Sequence, residues 1–379
     1  MNILTAVLLL TAVSVFGQKN SSAGINLSLW KNVSTQKHTP GNKTYFNLGL
    51  LTHMNELRGV SFNVLGSKVN RNMAGLQLSG FVNQAMFNAS GVQLSSLANI
   101  TARDFSGVGA TGILNLVAGD SKGITIAGFS NIAGGSQVGL SLAGLLNMSG
   151  DKGAGVSFAG IGNISPVDFC GVMMGGFINV TGQTMRGVQL AGLSNINAMD
   201  RYGVQISPSN VTVKGKGLQL GLVNYYAENF NGFQLGLVNA NPNTRVQWMI
   251  FGGSSTKINT AARFKNDLFY TIIGVGSHYL DFGDKFSGSL FYRAGLSIPL
   301  YKNLSISGDL GYQHIENFKN KDQGFPKRLY ALESRINLEY SFNSKLALFA
   351  TGGYSHSRHY NQSHTYKNRA IIEAGIILF

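Results

Sequence analysis

From about residue 59 onward, apolar and polar positions alternate with a period of two, in short runs broken by small polar turns. The run Gly187 to Ile196 shows the pattern. As an extended strand, Val188, Leu190, Gly192, Ser194 and Ile196 share one face, and Gly187, Gln189, Ala191, Leu193 and Asn195 share the other. In the preceding run, Val172, Met174, Gly176, Ile178 and Val180 oppose Gly171, Met173, Gly175, Phe177 and Asn179. The first face is apolar or Gly in nearly every run. The second is small or polar, broken by one large apolar residue. This pattern, with its Gly and β-branched content, predicts strands and excludes helix.

The runs repeat. Gly stands at 59, 75, 91, 107, 123, 139, 155, 171, 187 and 203, at intervals of 16 residues, and Gly217 and Gly232 follow at 14 and 15. Asn follows eight residues after Gly, at 83, 99, 115, 131, 147, 163, 179 and 195. Two architectures fit such a unit. In a transmembrane barrel each unit is one strand, with the apolar face on lipid and the Gln/Ala/Asn face lining the lumen. In a β-solenoid each unit is one coil, Asn stacks on Asn, and the Ala-Gly pair is a corner. A hairpin repeat should show a 32-residue super-period, and none is visible.

The C-terminal third reads as barrel strands. Tyr330, Leu332, Ser334, Ile336, Leu338 and Tyr340 alternate with Ala331, Glu333, Arg335, Asn337 and Glu339. Similar alternation marks the runs from Leu290, Leu304 and Leu346. Each spans about ten residues, the length that crosses a bilayer when tilted by roughly 45°. Tyr falls at the ends of the apolar face, where an aromatic girdle belongs. Short connections at 301–303 and 342–345 contrast with long polar stretches near 314–328 and 355–368, expected as outer loops.

The start of the chain reads as a secretory signal peptide over 1–17, with an apolar run from Ile3 to Phe16 and Gln18 as the new N-terminus. No later segment reaches 18 apolar residues, so any further crossing must use strands. Charged residues are 12% of the chain, about half the share of a soluble domain. The single Cys excludes a disulfide framework and a Cys-based zinc site. The net charge of +14 is scattered rather than clustered, and nucleic-acid binding is not expected.

The expected fold is therefore all-β: a single antiparallel transmembrane β-barrel of roughly 20–22 strands. The alternative is a 16-residue-period β-solenoid joined to a smaller β-barrel. In the first case residues 18–58 supply N-terminal barrel strands, 59–244 the Gly/Asn repeat, and 245–379 the C-terminal strands ending in Phe379.

Units such as GVQLAGLSNI (187–196) and GLSLAGLLNM (139–148) resemble the surface-repeat proteins of leptospires and Bacteroidetes-type bacteria. Units of this kind span about half the chain. The resemblance implies exported, surface-associated β structure in a Gram-negative envelope and carries over no functional residue. The last strand, AIIEAGIILF, resembles the C-terminal strand by which the barrel assembly machinery recognises outer-membrane barrels. Localisation in the outer membrane follows as an expectation, with outer-membrane lipid as partner. The expected role is non-enzymatic, a passive channel or structural envelope protein; the alternative is a surface-exposed repeat module for adhesion or ligand binding.

No catalytic, cofactor-binding or metal-binding residues are assigned, and no cofactor. H-E-x-x-H does not occur. Gly107, Gly109 and Gly112 spell G-x-G-x-x-G, but inside a repeat unit with no helix to follow. His356, His359 and His364, with Arg358, fall in an expected outer loop and read as solvated. Glu333, Arg335 and Glu339, with Arg293 and Asp309, are expected on the lumen face, as structural ion pairs or as a selectivity ring. Cys170 reads as an incidental turn residue before Gly171.

Overall fold

A computed structural model describes residues 24–30, 33–36, 39–278, 280–281, 285–320, 327–360 and 365–379. The expected signal peptide at 1–17 and His364 lie outside these residues. The described elements are strands. The architecture is the solenoid with a smaller barrel, not one large barrel.

The direction of pairing decides this. Gly139 pairs in parallel with Gly123 on one side and Gly155 on the other. Asn131 pairs likewise with Asn147, and Asn147 with Asn163. A parallel neighbour 16 residues away requires the chain to complete a full turn per unit, whereas hairpin-connected strands pair antiparallel. Each coil has a seven-residue strand such as Gln137–Ala143, a corner at Gly144 and Leu145, and a four-residue strand, Leu146–Ser149. The Ala-Gly pair is thus the corner. The segment 18–58, expected to supply barrel strands, instead holds the first turns of this sheet: Ile25–Trp30 pairs in parallel with Lys43–Met54, which pairs in parallel with Glu56–Val69. A strand's two faces look the same in a coil and in a hairpin, so alternation alone could not separate them.

The 16-residue glycine has a local cause. Gly139 has φ of +122°, and a Cβ there would lie 2.0 Å from the Gly123 carbonyl oxygen of the coil before. Only Gly tolerates both the dihedral and the close approach.

The coil interior combines an apolar column, with Met73, Phe105, Phe169 and Met185, and a polar one. Asn83 to Asn195 form a ladder in which each side-chain amide donates to the next Asn oxygen at 2.8–3.0 Å. The same amides also donate to backbone carbonyls, as Asn131 does to Leu142 at 2.8 Å. Gln205 donates to Gln189 at 2.8 Å, and both are fully buried. Stacked Asn and Gln amides polarise one another in this way and fix the coil register.

The chain divides into two compact units, Met1–Leu218 with Phe230–Gly232, and Gln219–Asn229 with Phe233–Phe379. The second contains the barrel. Its strands are β1 (Arg245–Gly253), β2 (Ile258–Asn266), β3 (Phe269–Ser277), β4 (Lys285–Tyr301), β5 (Leu304–Asn320), β6 (Arg328–Ser341), β7 (Leu346–His359) and β8 (Thr365–Leu378). Neighbours in sequence pair antiparallel, and β1 pairs with β8 to close the cylinder. The expected alternation holds: Leu310 and Ile336 are 71% and 64% exposed on the outside, while Asp309 and Arg335 beside them are buried.

One end of the barrel has the short turns 267–268, 302–303 and 342–345, and it is also where β1 begins and β8 ends. The stretches expected as long loops are shorter than the sequence suggested. β5 runs to Asn320, β6 starts at Arg328 and β7 reaches His359, because the ladder continues past the apolar band, with Ile315 opposite Leu329 and Leu329 opposite His359.

Candidate functional site

The lumen of the barrel is built from the inward positions of its strands. On β6 these are Glu333, Arg335, Asn337 and Glu339, all buried. Arg335 donates from Nη1 to Glu333 at 2.5 Å and from Nε to Glu373 of β8 at 3.3 Å, with all three side chains at most 1% exposed. Arg263 of β2 holds Glu339 through two bonds of 2.8 and 3.1 Å and donates to Gln247 at 2.5 Å. Asp309 of β5 accepts from the Tyr270 hydroxyl at 2.9 Å and from the Asn337 amide at 2.8 Å. The Arg293 guanidinium lies over the rings of Phe291 and Phe251, 4.4 and 4.9 Å from their centroids. Phe251 in turn meets Phe291 and Phe349 edge-on.

The residues expected in the lumen are therefore all there. Glu333 and Arg335 meet directly, whereas Glu339 pairs with Arg263. Arg263 and Glu373 were missed by sequence reasoning. The signal for Glu373 was present: it is the sole charge in AIIEAGIILF, and a lone charge in an apolar strand points inward. An eight-stranded barrel is just wide enough for its own side chains to fill. Here they do so with two ion-paired groups, the Asp309–Tyr270–Asn337 group and a cluster of aromatic rings.

The other sequence candidates are scattered. His356 and His359 lie on β7 rather than in a loop, because that strand stays paired to its end. Both His356 ring nitrogens are engaged, Nδ1 with Asn368 Oδ1 at 2.6 Å and Nε2 accepting from Arg358 at 3.0 Å. Gly107, Gly109 and Gly112 stand at a strand bend, an inward position and a corner of one coil, and do not form a loop. Cys170 is exposed within the strand Phe169–Gly175 rather than in a turn.

Aromatic residues mark both ends of the barrel wall. Tyr312 stacks on Tyr330, and the Tyr360 hydroxyl bonds to Tyr312 and, at 2.7 Å, to His314 Nδ1. Tyr301, Tyr340 and Phe342 are exposed at the short-turn end. Within the barrel's own unit, the last repeat coil bonds to the outside of the wall near this end. Asn266 donates to the Asn239 carbonyl at 2.6 Å, Thr271 to Leu237 at 3.0 Å and Tyr292 to Gly236 at 2.7 Å. Phe233 meets Phe269 edge-on.

The outer surface of the repeat is the second feature. The corner residues Phe129, Phe177 and Leu193 are more than half exposed, and Ile126 and Phe158 project from the long strands. The opposite edge is polar. There Asp104 accepts from the Asp120 backbone at 2.9 Å, Asp120 from Ser136 at 2.8 Å and Asp168 from Thr184 at 3.0 Å. One buried charge breaks the pattern. Arg201 occupies the inward position held by Phe169 and Met185 in earlier coils, and it donates to the Gly203 carbonyl at 2.5 Å. Burial pushes its pKa down to about 10, and its Nε and Nη2 have no hydrogen-bond partner.

No family model and no curated protein matches the sequence. Among solved structures, the crystal structure of Neisserial surface protein A aligns at 12% identity, covering 35% of this chain and 92% of that one, with a TM-score of 0.24.

Proposed function

We propose that the protein is an outer-membrane β protein whose barrel is a closed anchor and whose repeat is a non-enzymatic structural module of the envelope. The observation that carries this reading is the barrel's partition: an apolar wall outside, and a lumen filled by the Arg263–Glu339 and Glu333–Arg335–Glu373 pairs. An apolar band flanked by aromatic residues suits hydrocarbon between two interfaces. A lumen of paired, buried charges favours the structural role over the passive channel, since conduction needs a continuous aqueous path. Export through a signal peptide at 1–17 and assembly through the strand ending in Phe379 complete the reading.

The barrel's polarity also bears on where the repeat lies. In bacterial barrels of this type the short turns face the periplasm. β1 begins at the short-turn end, and the chain before Arg245 emerges there. This favours a periplasmic repeat over display for adhesion.

The test is electrical. Full-length protein inserted in planar bilayers should give no ion steps above baseline. Stable, reproducible steps would overturn the closed anchor and restore the channel.

A further inference from the structure

We propose that the outer surface of the repeat coils binds lipid, with the acyl chains of the periplasmic leaflet as its ligand. This rests on the outer-membrane reading above and deepens it by naming what the repeat touches.

The repeat carries large apolar residues outside as well as inside. Its interior holds the Asn ladder, the buried Gln77, Gln93, Gln189 and Gln205 and an apolar column that includes Met73, Phe105, Phe169 and Met185, while a second set of Ile, Leu and Phe side chains points out. Every sixteenth residue at one corner is apolar: Phe81, Leu97, Ile113, Phe129, Leu145, Ile161, Phe177 and Leu193, each at least 37% exposed. At about 4.8 Å per coil this column is a stripe roughly 35 Å long. Together with the adjoining strand faces it exceeds the few hundred Å² that a monomeric soluble protein leaves open.

The shape of this surface selects its occupant. Apolar side chains project from the long strand (Ile124, Ile126, Phe158), from the corner, and from the short strand (Ile132, Ile164). A second copy of the chain could cover one of these three directions. A fluid hydrocarbon covers all of them. Coil-to-coil bonding pairs the backbone within the stack, so the strand faces present no unpaired amides to lipid. The fourth side is the polar edge with the Asp104, Asp120 and Asp168 turns, and Lys152 also projects there. Lys122 and Arg186 stand on the long strand beside the glycine column, placed to reach anionic headgroups while their stems lie on apolar surface.

The barrel unit supplies the membrane level. Its own repeat coil is bonded to the outside of the wall through Asn266, Thr271 and Tyr292, and that coil exposes Phe233, Leu235 and Leu237. A coil fixed to the lipid-facing wall near its short-turn rim lies at the acyl–headgroup boundary of one leaflet.

The experiment uses the full chain in vesicles of phosphatidylethanolamine and phosphatidylglycerol, with and without bromine on the acyl chains. The protein's two Trp, Trp30 and Trp248, are both exposed, and Trp248 lies on the outer wall of β1. In Trp30→Phe, Trp248 reports the barrel alone, and its quenching by brominated lipid checks the anchor reading. In Trp30→Phe/Trp248→Phe, a single Trp is placed by Phe177→Trp or Leu193→Trp on the corner, or by Gln183→Trp on the polar edge. Far-UV circular dichroism confirms that each variant keeps the parent fold. The corner reporters should lose about half their emission in brominated vesicles, and the edge reporter should lose little. Unquenched corner reporters beside a quenched Trp248 would overturn lipid binding and leave the anchor standing. A blue-shifted but unquenched corner would assign the surface to a second copy, which also overturns it. Equal quenching at 183 and 177 would overturn the amphipathic placement. An unquenched Trp248 would overturn the anchor itself.

Discussion

At the scale of single residues, the repeat is governed by where a side chain has no room and where a charge has no partner. Gly139 illustrates the first. Gly139→Ala forces a φ of +122° on an L-residue and drives its Cβ to 2.0 Å from the Gly123 oxygen. The cost should be at least about 2 kcal/mol, read as a lower urea midpoint by circular dichroism. Gly109→Ala makes the contrast. Gly109 has no such dihedral, and its position carries Gln93 and Thr125 in the coils on either side. That change should stay within about 1 kcal/mol of the parent, and equal losses at the two sites would contradict this account. Arg201 illustrates the second. Arg201→Met places there the residue that Met185 supplies one coil earlier, removes two unpartnered nitrogens and should stabilise the repeat by about 1–3 kcal/mol. The sign with pH follows from its lowered pKa. Burial penalises the charged form, so the penalty is full below about 10 and is relieved only as pH rises past it. The gain from Arg201→Met should therefore be the same at about pH 6 and about pH 9; a gain that grew toward acid would point to another group.

At the scale of elements, the barrel strands show what a lumen of ion pairs implies. Arg263 and Glu339 meet across the interior with two hydrogen bonds. Glu339→Gln leaves the Arg263 charge buried without its counter-ion and should cost about 3–5 kcal/mol, seen as loss of the heat-modifiable folded band at lower urea. Arg263→Met/Glu339→Leu removes both charges and should recover most of that loss. A double variant as weak as the single one would mean that shape, not charge balance, sets the stability. These strands were legible in the sequence because their environment differs on the two faces: Tyr330 to Tyr340 face out in steps of two and Glu333, Arg335 and Glu339 face in. Their ends were not legible. Beyond the apolar band both faces are polar, and only the partner strand shows that residues 355–359 are still paired. The repeat units read equally well face by face. Their pairing direction did not, because GVQLAGLSNI alternates identically in a coil and in a hairpin. The missing 32-residue super-period was the clue that favoured the coil.

At the scale of the whole molecule, the direction in which a closed barrel is threaded decides which compartment the rest of the chain occupies. β1 starts and β8 finishes at the end with the two-residue turns at 267–268 and 302–303, whereas β3 and β5 end, and β4 and β6 begin, at the other end. If the short turns are periplasmic, residues before Arg245 are periplasmic too. The sequence provides its own reporter, because Cys170 is the only cysteine and is exposed. A bulky, membrane-impermeant maleimide added to intact cells should leave it unmodified, and the same reagent should modify it after detergent permeabilisation. The control moves the thiol to the opposite end. Cys170→Ser/Lys257→Cys places it in the segment between β1 and β2, where Lys257 is exposed, and it should react on intact cells. Reaction of Cys170 on intact cells would put the repeat outside and return adhesion as its role. Failure of the 257 position alone to react would mean that the barrel is threaded the other way. The two thiols thus read the orientation independently, and only the combination of a silent 170 and a reactive 257 is compatible with a repeat held on the inner side of the outer membrane.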